Sequence, residues 1–454
     1  MSIKICKKLR LAVLHALHEV PEAVRPGSVL VGFSGGADST ALVLLLEDIF
    51  PGRVFCVHVN HHLRPGDCDG DEAFVRELCH RRRIPLLTFG LKLEGSDENL
   101  AREARMRCFR DAMEKTGADC LCLAHHMDDQ AETILEHLFR GSGMQGLCGM
   151  RVWDDGGEYP VFRPLLGVRH EDLIEYLRER GQVWREDATN HETVYTRNRL
   201  RHLVLPEVEK IFPGAAERLC QTGRIIQGDE EVLASSARET ADPFFSKNYF
   251  PLSALEALPL GLKRRVLRMW ACERCMTGEE KQRGLPFADT ERLVELLGEN
   301  TGKSVNLPRG RKATKGYLCL HVDGRAEDTE PVRIHTSSLP PDGMFGDGKR
   351  SQAMPGMLLD ECQVRSRRQG DWIRPFGSSG RQSLQDYFVN RRVDAPFREK
   401  VPLLCRGSEV LMAAGVGTGN VPRYVPGETD TAADWILLTW EGPLPWLDLK
   451  DPDQ

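Results

Sequence analysis

The sequence has no run of the ~18 apolar residues that a membrane-spanning helix needs. Its longest apolar stretch, residues 41–46, suits a buried core helix. An export core is missing as well. The first eight residues are basic, but residues 9–20 are interrupted by Arg10, His15, His18 and Glu19, which excludes a signal-peptide pattern. Excess positive charge is absent: 61 Lys and Arg stand against 67 Asp and Glu, a net charge of −6. Such a chain does not coat nucleic acid by bulk charge, so any RNA contact must use local basic patches. The fourteen cysteines are scattered and form no double C-x-x-C set. Without an export core they read as free thiols of a reducing cytoplasm. Cys272 and Cys275 have metal-ligand spacing but no matching second pair, and read as a helix carrying two thiols.

What is there is a globular composition, 41% hydrophobic and 28% charged over 454 residues. That length fits about three domains at ~150 residues each. The first ~125 residues alternate short apolar runs with helical segments. Strand-like runs lie at residues 29–33, 54–59, 86–89 and 120–124, and helix-like segments at 40–48, 71–82 and 99–115. This alternation predicts an α/β fold with a doubly wound parallel sheet covered on both faces. Ligands then bind beyond the carboxyl ends of the strands. Ser34 and its neighbours, Asn60-His61-His62, and His125-His126 all fall there. A helix opens at Asp128-Asp129, with Ala131, Ile134, Leu135 and Leu138 on one apolar face. Another runs from about 170 to 180. Domain boundaries are expected at 1–215 for this part, 216–336 for a mainly helical middle domain, 337–354 for a Gly/Pro/Ser-rich linker, and 355–454 for a small α+β C-terminal domain.

The most informative segment is Ser34-Gly35-Gly36-Ala37-Asp38-Ser39, between a strand and a helix. Glycines let the backbone approach a ligand closely, and the following helix aims its free N–H groups and positive dipole end at the loop. That is an anion site. It lacks the Lys of a Walker A loop and the spaced glycines of the dinucleotide fingerprint. Asp38 would repel phosphate unless a cation such as Mg²⁺ bridges the two.

This loop resembles the pyrophosphate loop of the N-type ATP pyrophosphatases, which cleave ATP to AMP and pyrophosphate and adenylate a carbonyl oxygen. Further motifs narrow the resemblance. They are His58-Val59-Asn60-His61-His62-Leu63-Arg64, Ala124-His125-His126-Met127-Asp128-Asp129-Gln130-Ala131-Glu132-Thr133, Gly146-Leu147-Cys148-Gly149-Met150, Arg163-Pro164-Leu165-Leu166, Trp184-Arg185-Glu186-Asp187-Ala188-Thr189-Asn190 and Arg197-Asn198-Arg199-Leu200-Arg201-His202. In this order and spacing they are similar to the tRNA(Ile)-lysidine synthases, over essentially the first ~215 residues. The likeness continues more loosely through Leu307-Pro308-Arg309-Gly310 and residues 365–375. Where the family often carries lysines before a Leu-Lys-Asp segment, this chain has Arg381-Gln382-Ser383-Leu384-Gln385-Asp386.

The resemblance implies a cytoplasmic ligase with ATP as substrate and Mg²⁺ as cofactor. Its partners would be L-lysine and a CAU-anticodon tRNA(Ile), without membrane or DNA, and with room for a homodimer. The C2 carbonyl oxygen of the wobble cytidine is adenylated, and the ε-amine of lysine then displaces AMP. Ser34, Gly35, Gly36, Ala37, Asp38, Ser39 and His58 are the expected ATP-binding residues, with Asp38 on Mg²⁺. Asp128, Asp129 and Glu132 are candidates to bind the lysine ammonium and take its proton, residues 128 and 132 sharing one helical face. Arg197 and Arg201 would hold the lysine carboxylate or a tRNA phosphate. His58, His62, His125 and His126 could line the nucleotide pocket. Residues 195–205, 302–317 and 361–400 carry +3, +5 and +4. Arg381, Arg391 and Arg392 are the tRNA-binding candidates of the last patch. Three rivals remain: a tRNA cytidine thiolation enzyme of the same superfamily, a module that holds ATP without chemistry, and a carboxylate-amidating synthetase.

Overall fold

The computed structural model describes residues 2–60, 67–91, 98–185, 196–278, 281, 284–323, 332–339, 346–422 and 435–449. His61, His62, Leu63 and Arg64, residues 186–190, Tyr195 and residues 340–345 of the expected linker lie outside them. The chain divides into two compact units, residues 1–232 and 233–454. Helix α10, Ala215–Ala241, starts in the first and ends in the second.

In the first unit the four apolar runs form β1 (Val29–Gly32), β2 (Val54–Asn60), β3 (Leu86–Gly90) and β4 (Cys120–Cys122). A hairpin of β5 (Trp153–Asp154) and β6 (Val161–Phe162) completes a sheet of order β3-β2-β1-β4-β6-β5. All pairings are parallel except the last. Successive strand side chains face opposite ways. Val29, Val31, Cys56, Cys120 and Cys122 therefore share one core with Leu9 and Val13 of α1 (Ser2–Glu19), Leu42 and Leu45 of α2 (Ala37–Ile49), and Leu173 and Leu177 of α7 (His170–Glu179). Leu30, Val57 and Leu121 pack on the other face with Phe109 and Ala112 of α4 (Glu98–Thr116). Fully burying each such aliphatic contributes ~1.5–3 kcal/mol. Both faces are covered, as the alternation predicts. The chain leaves β1 for β2 and β3 on one side and returns to β4 on the other, so the crevice beyond β1 and β4 is the topological switch point.

The second unit begins with the helices Leu260–Cys275 and Phe287–Gly298 and a four-stranded antiparallel sheet of β7 (Tyr249–Pro251), β8 (Ser304–Asn306), β9 (Lys312–Lys315) and β10 (Cys319–Val322), in the order β7-β10-β9-β8. Phe250, Trp270 and Leu293 anchor its core. The C-terminal part has an antiparallel sheet, β11 (Arg333–Ser338), β19 (Trp435–Glu441) and β12 (Ser351–Pro355), and a mixed sheet of β13 (Gln363–Arg365), β14 (Trp372–Ile373), β15 (Gln382–Ser383), β16 (Leu403–Arg406), β17 (Glu409–Ala413) and β18 (Gly417–Thr418). Asp394, fully buried, ties this part to β10. It accepts from the backbone N–H groups of Tyr317, Leu318 and Cys319 and from Nε2 of His321 at 2.9 Å. A Cβ on Gly316 would overlap that carboxylate, so only glycine fits there. Cys272 and Cys275 are buried in a helix, and burial pushes the Cys275 thiol up to about 11. Among the described residues neither cysteine joins a metal-ligating group. No helix among the described residues is long and apolar enough to cross a membrane.

Candidate active site

The loop after β1 opens into α2 through Gly36, which caps the helix without any side-chain acceptor. The first-turn N–H groups of Ala37, Asp38 and Ser39 lack intrahelical partners by helix geometry, so they suit an anion. Gly35 has φ +92°, a conformation reserved in practice for glycine, and a side chain there would press on Phe74 and Val75. The loop is braced from within. The Ser34 and Ser39 hydroxyls are 3.0 Å apart, Ser39 Oγ donates to Gly36 O at 3.0 Å, and Thr40 Oγ1 donates to Gly35 O at 3.3 Å. His58 is buried with Nδ1 2.9 Å from Phe33 O, so it positions the strand end that launches the loop.

Helix α5 (Met127–Phe139), after β4, begins in the opposite way. His126 caps it in a reciprocal box: Asp129 Oδ2 accepts from His126 N at 3.0 Å, and His126 Nδ1 accepts from Asp129 N at 3.5 Å. Gln130 clasps the loop after α6 (Met144–Leu147), bonding Met150 N and O at 2.7 and 2.9 Å, which accounts for the Gly149-Met150 motif.

Glu132 is fully buried. Arg197 Nε donates to its Oε2 at 2.9 Å, and Arg201 donates to Oε1 at 2.6 Å and Oε2 at 3.1 Å. Arg201 Nη2 also reaches Asp129 Oδ1 at 2.7 Å, and Arg197 Nη2 lies 3.3 Å from the same oxygen. The two arginines come from a helical run whose middle, Leu200–Val204, widens into a π-turn: Leu205 N bonds Leu200 O. Pro206 lacks the N–H that an α-turn would use there. Helical spacing alone pairs Asp128 with Glu132. The structure pairs Asp129 with Glu132. Asp128 instead turns to α7, accepting from His170 N at 2.9 Å and from Arg169 at 2.8 Å.

Burial works to raise the Asp128 carboxyl, but the adjacent His126, a hydrogen bond from His170 N and the Arg169 charge hold it down to about 2. Burial likewise opposes charge on Asp129, yet His126, Arg197 and His125 keep its carboxyl below the usual range. His126 is raised despite burial by Asp128, Asp129 and Asp38. His125 is depressed to about 4, chiefly by burial. Asp38 Oδ1 is 2.7 Å from Nδ1 of His170, the first residue of α7, and Asp38 Oδ2 is 3.7 Å from His126 Nε2. Three helix N-termini thus converge on one crevice. His170 and Arg169 escaped the sequence reading. The signal for them was positional: they open the helix that follows β6, the strand next to β4.

The second unit has its own cleft, of about 660 Å³, lined by Arg367, Arg368, Trp372, Arg381 and Gln385 among others. The Arg381 guanidinium stacks on Trp372 at 4.2 Å. Arg391, over the Tyr387 ring at 5.4 Å, and Arg392 stand at the far end of the helix Leu384–Asn390 and do not line that cleft.

The family model described as a PP-loop domain matches residues 9–208, and that of the TilS substrate C-terminal domain matches residues 362–435. The tRNA(Ile)-lysidine synthase of Geobacter sulfurreducens is 30% identical over 440 residues, covering 89% of this chain and 92% of the relative. That of Symbiobacterium thermophilum is 31% identical, covering 87% and 90%. Among solved structures, the U34-tRNA thiolase NcsA of Methanococcus maripaludis is 15% identical with a TM-score of 0.43, covering 50% of this chain and 80% of that one. Cys120 and Cys122 are buried side by side in the core, 4.0 Å apart, and belong to no metal-ligating group among the described residues. With its PP-loop domain in place and its relatives matched along nearly nine-tenths of its length, the chain belongs to the tRNA(Ile)-lysidine synthase family and is an ATP-using ligase.

Proposed function

We propose that this enzyme ligates free L-lysine to C2 of the wobble cytidine of a CAU-anticodon tRNA(Ile), giving lysidine, AMP and pyrophosphate. The product pairs with A, so decoding moves from AUG to AUA and charging from methionine to isoleucine. The observation that carries the reading is the Asp129–Glu132 carboxylate pair, held by Arg197 and Arg201 beside the phosphate loop. Two acids and two guanidiniums suit a free amino acid with a cationic side chain, which brings both a carboxylate and an ammonium.

In the first step the cytidine O2 attacks the ATP α-phosphorus in line and pyrophosphate leaves. The N–H groups of residues 35–39 take the charge that builds on the leaving group, positioned before the reaction. Asp38, at the mouth of the loop, is the carboxylate that would hold Mg²⁺ on the phosphates. The ion, when bound, neutralises phosphate charge. In the second step the lysine ε-amine attacks C2 and AMP departs. Asp129 stays an anion at neutral pH, as its low carboxyl requires, and anchors the ammonium. The ammonium, ~10.4 in free lysine, first releases one proton to solvent so that its lone pair can attack; once nitrogen bonds C2 the remaining proton is far more acidic, so a carboxylate of the pair can accept it. The target base leaves a loop rather than a duplex, which lowers the unstacking cost. Residues 355–454 would form the tRNA-binding domain, with Arg381, Arg391 and Arg392 on phosphates, in a cytoplasmic enzyme.

The test supplies purified protein with ATP, CAU-anticodon tRNA(Ile) and radiolabelled lysine, singly and together. Label in RNA only with all three supports the reading. Pyrophosphate release without labelled RNA would discard the lysine step.

A further inference from the structure

We infer that Asp38, His126 and His170 form one divalent-cation site whose two imidazoles select a first-row transition ion of the Mn²⁺ or Co²⁺ type over Mg²⁺. The inference rests on the adenylation reading and deepens its metal assignment.

The three side chains come from three separate elements, the first turn of α2, the cap of α5 and the first residue of α7. One ligand atom from each lies within 4.8 Å of the other two. Asp38 Oδ1 is 2.7 Å from His170 Nδ1, Asp38 Oδ2 is 3.7 Å from His126 Nε2, and the two imidazole rings are 5.3 Å apart, tilted by 38°. Side-chain exposure rises across the group, from 5% for His126 through 30% for Asp38 to 45% for His170. The protein therefore walls the site on the His126 side, and the His170 side stays open to water or phosphate oxygens. Two imidazoles and one carboxylate with open positions are the donor set of first-row divalent ions, whereas Mg²⁺ takes oxygen ligands.

Both histidines are held in place by the protein. Asp128 Oδ2 accepts from His170 N at 2.9 Å, and His126 is fixed by its reciprocal cap with Asp129, which leaves Nε2 facing Asp38. The other Cys/His/Asp group, Cys319, His321 and Asp394, is different. The Asp394 carboxylate is already taken by three backbone N–H groups and His321, and all three residues are buried with no open side. That group fastens the fold. The Mg²⁺ that accompanies ATP is then the weaker occupant of the Asp38 site.

Full-length, tag-free, metal-stripped protein without ATP is titrated with Co²⁺ and followed by visible ligand-field absorption. In parallel, Mn²⁺-loaded protein is examined by pulsed electron paramagnetic resonance for coupling to ¹⁴N. The expected result is one Co²⁺ per chain that a large excess of Mg²⁺ does not displace, with nitrogen coupling in the Mn²⁺ form. His170→Asn, at a half-exposed helix start, should keep the wild-type melting temperature and lose about tenfold or more in Co²⁺ affinity. Displacement by equimolar Mg²⁺, absence of ¹⁴N coupling in the wild type, or an unchanged His170→Asn affinity overturns the proposal. So does a sulfur-to-cobalt charge-transfer band, which would place the ion on a cysteine, away from the Asp38 site. The wild-type spectra keep the test decisive if the variant misfolds. If the cobalt results hold and lysine labelling of tRNA fails, the substrate reading falls and the metal site stands.

Discussion

Two arginine–carboxylate clusters, one in each unit, share the same chemistry and differ in how far water reaches the cation. In the first, Glu132 is buried, but its partners Arg197 and Arg201 keep 41% and 32% of their side chains exposed. In the second, Asp371 holds Arg365 through two parallel bonds of 2.7 Å, with both side chains less than a tenth exposed, and takes Arg368 N as well. A guanidinium that faces a crevice can exchange a carboxylate for a ligand. One sealed on all sides serves only the fold. On the proposed function, exposure of the cation, rather than the pairing itself, separates the binding cluster from the structural clamp.

The sharpest way to break this contrast is Glu132→Gln. Lysine transfer to tRNA should fall by about 10²–10⁴, while pyrophosphate release continues. Equal loss of both would show Glu132 to be a clamp like Asp371. The counterpart is Asp371→Asn, which strands a buried guanidinium and should cost roughly 3 kcal/mol in stability, read by denaturant unfolding. Its pH signature has a definite sign. Burial opposes charge on Asp371, but Arg365 and Arg368 N hold its folded carboxyl below the usual range. Its stabilisation is therefore complete above the unfolded value of ~3.9 and is lost as pH falls through the folded one. The variant should show a flatter acid limb below about pH 4. An unchanged acid limb would take Asp371 out of the clamp.

Smaller effects sharpen the picture. Replacing Arg381, Arg391 and Arg392 together by Ala should weaken tRNA binding and lower its salt slope by about 2, roughly 0.7 per phosphate contact on single-stranded RNA. Affinity that stays equal across salt removes this patch from the RNA footprint. Least of all, Gly36→Ser would give α2 the side-chain acceptor that α5 has in His126. The helix should gain a few tenths of a kcal/mol, and the KM for ATP should rise a few-fold as the hydroxyl competes for the phosphate's donors. An unaltered KM would mean that phosphate does not use those N–H groups.

Much of this was legible in contiguous residues. The strand–helix alternation gives the sheet, and adjacent glycines before a helix give the loop. Cys120 and Cys122, two apart on a strand, land on one face as the period requires. The β7–β10 sheet was only half visible, because β7 stands some fifty residues before its partners. The partners of Asp128 were hidden for a related reason. Helical spacing places it over Glu132, but the unfilled N–H of His170, 42 residues on, draws its carboxylate the other way.

The sequence by itself determined the phosphate loop, the parallel sheet with its switch point, and the family likeness, because each depends on residues close in the chain. Only the tertiary structure decided that Asp129 rather than Asp128 joins Glu132, that His170 faces Asp38, and that Asp394 is sealed while Arg197 and Arg201 are not. Those outcomes are set by which donors and acceptors meet across the folded chain and by how much water reaches them. Neither quantity exists until the elements pack.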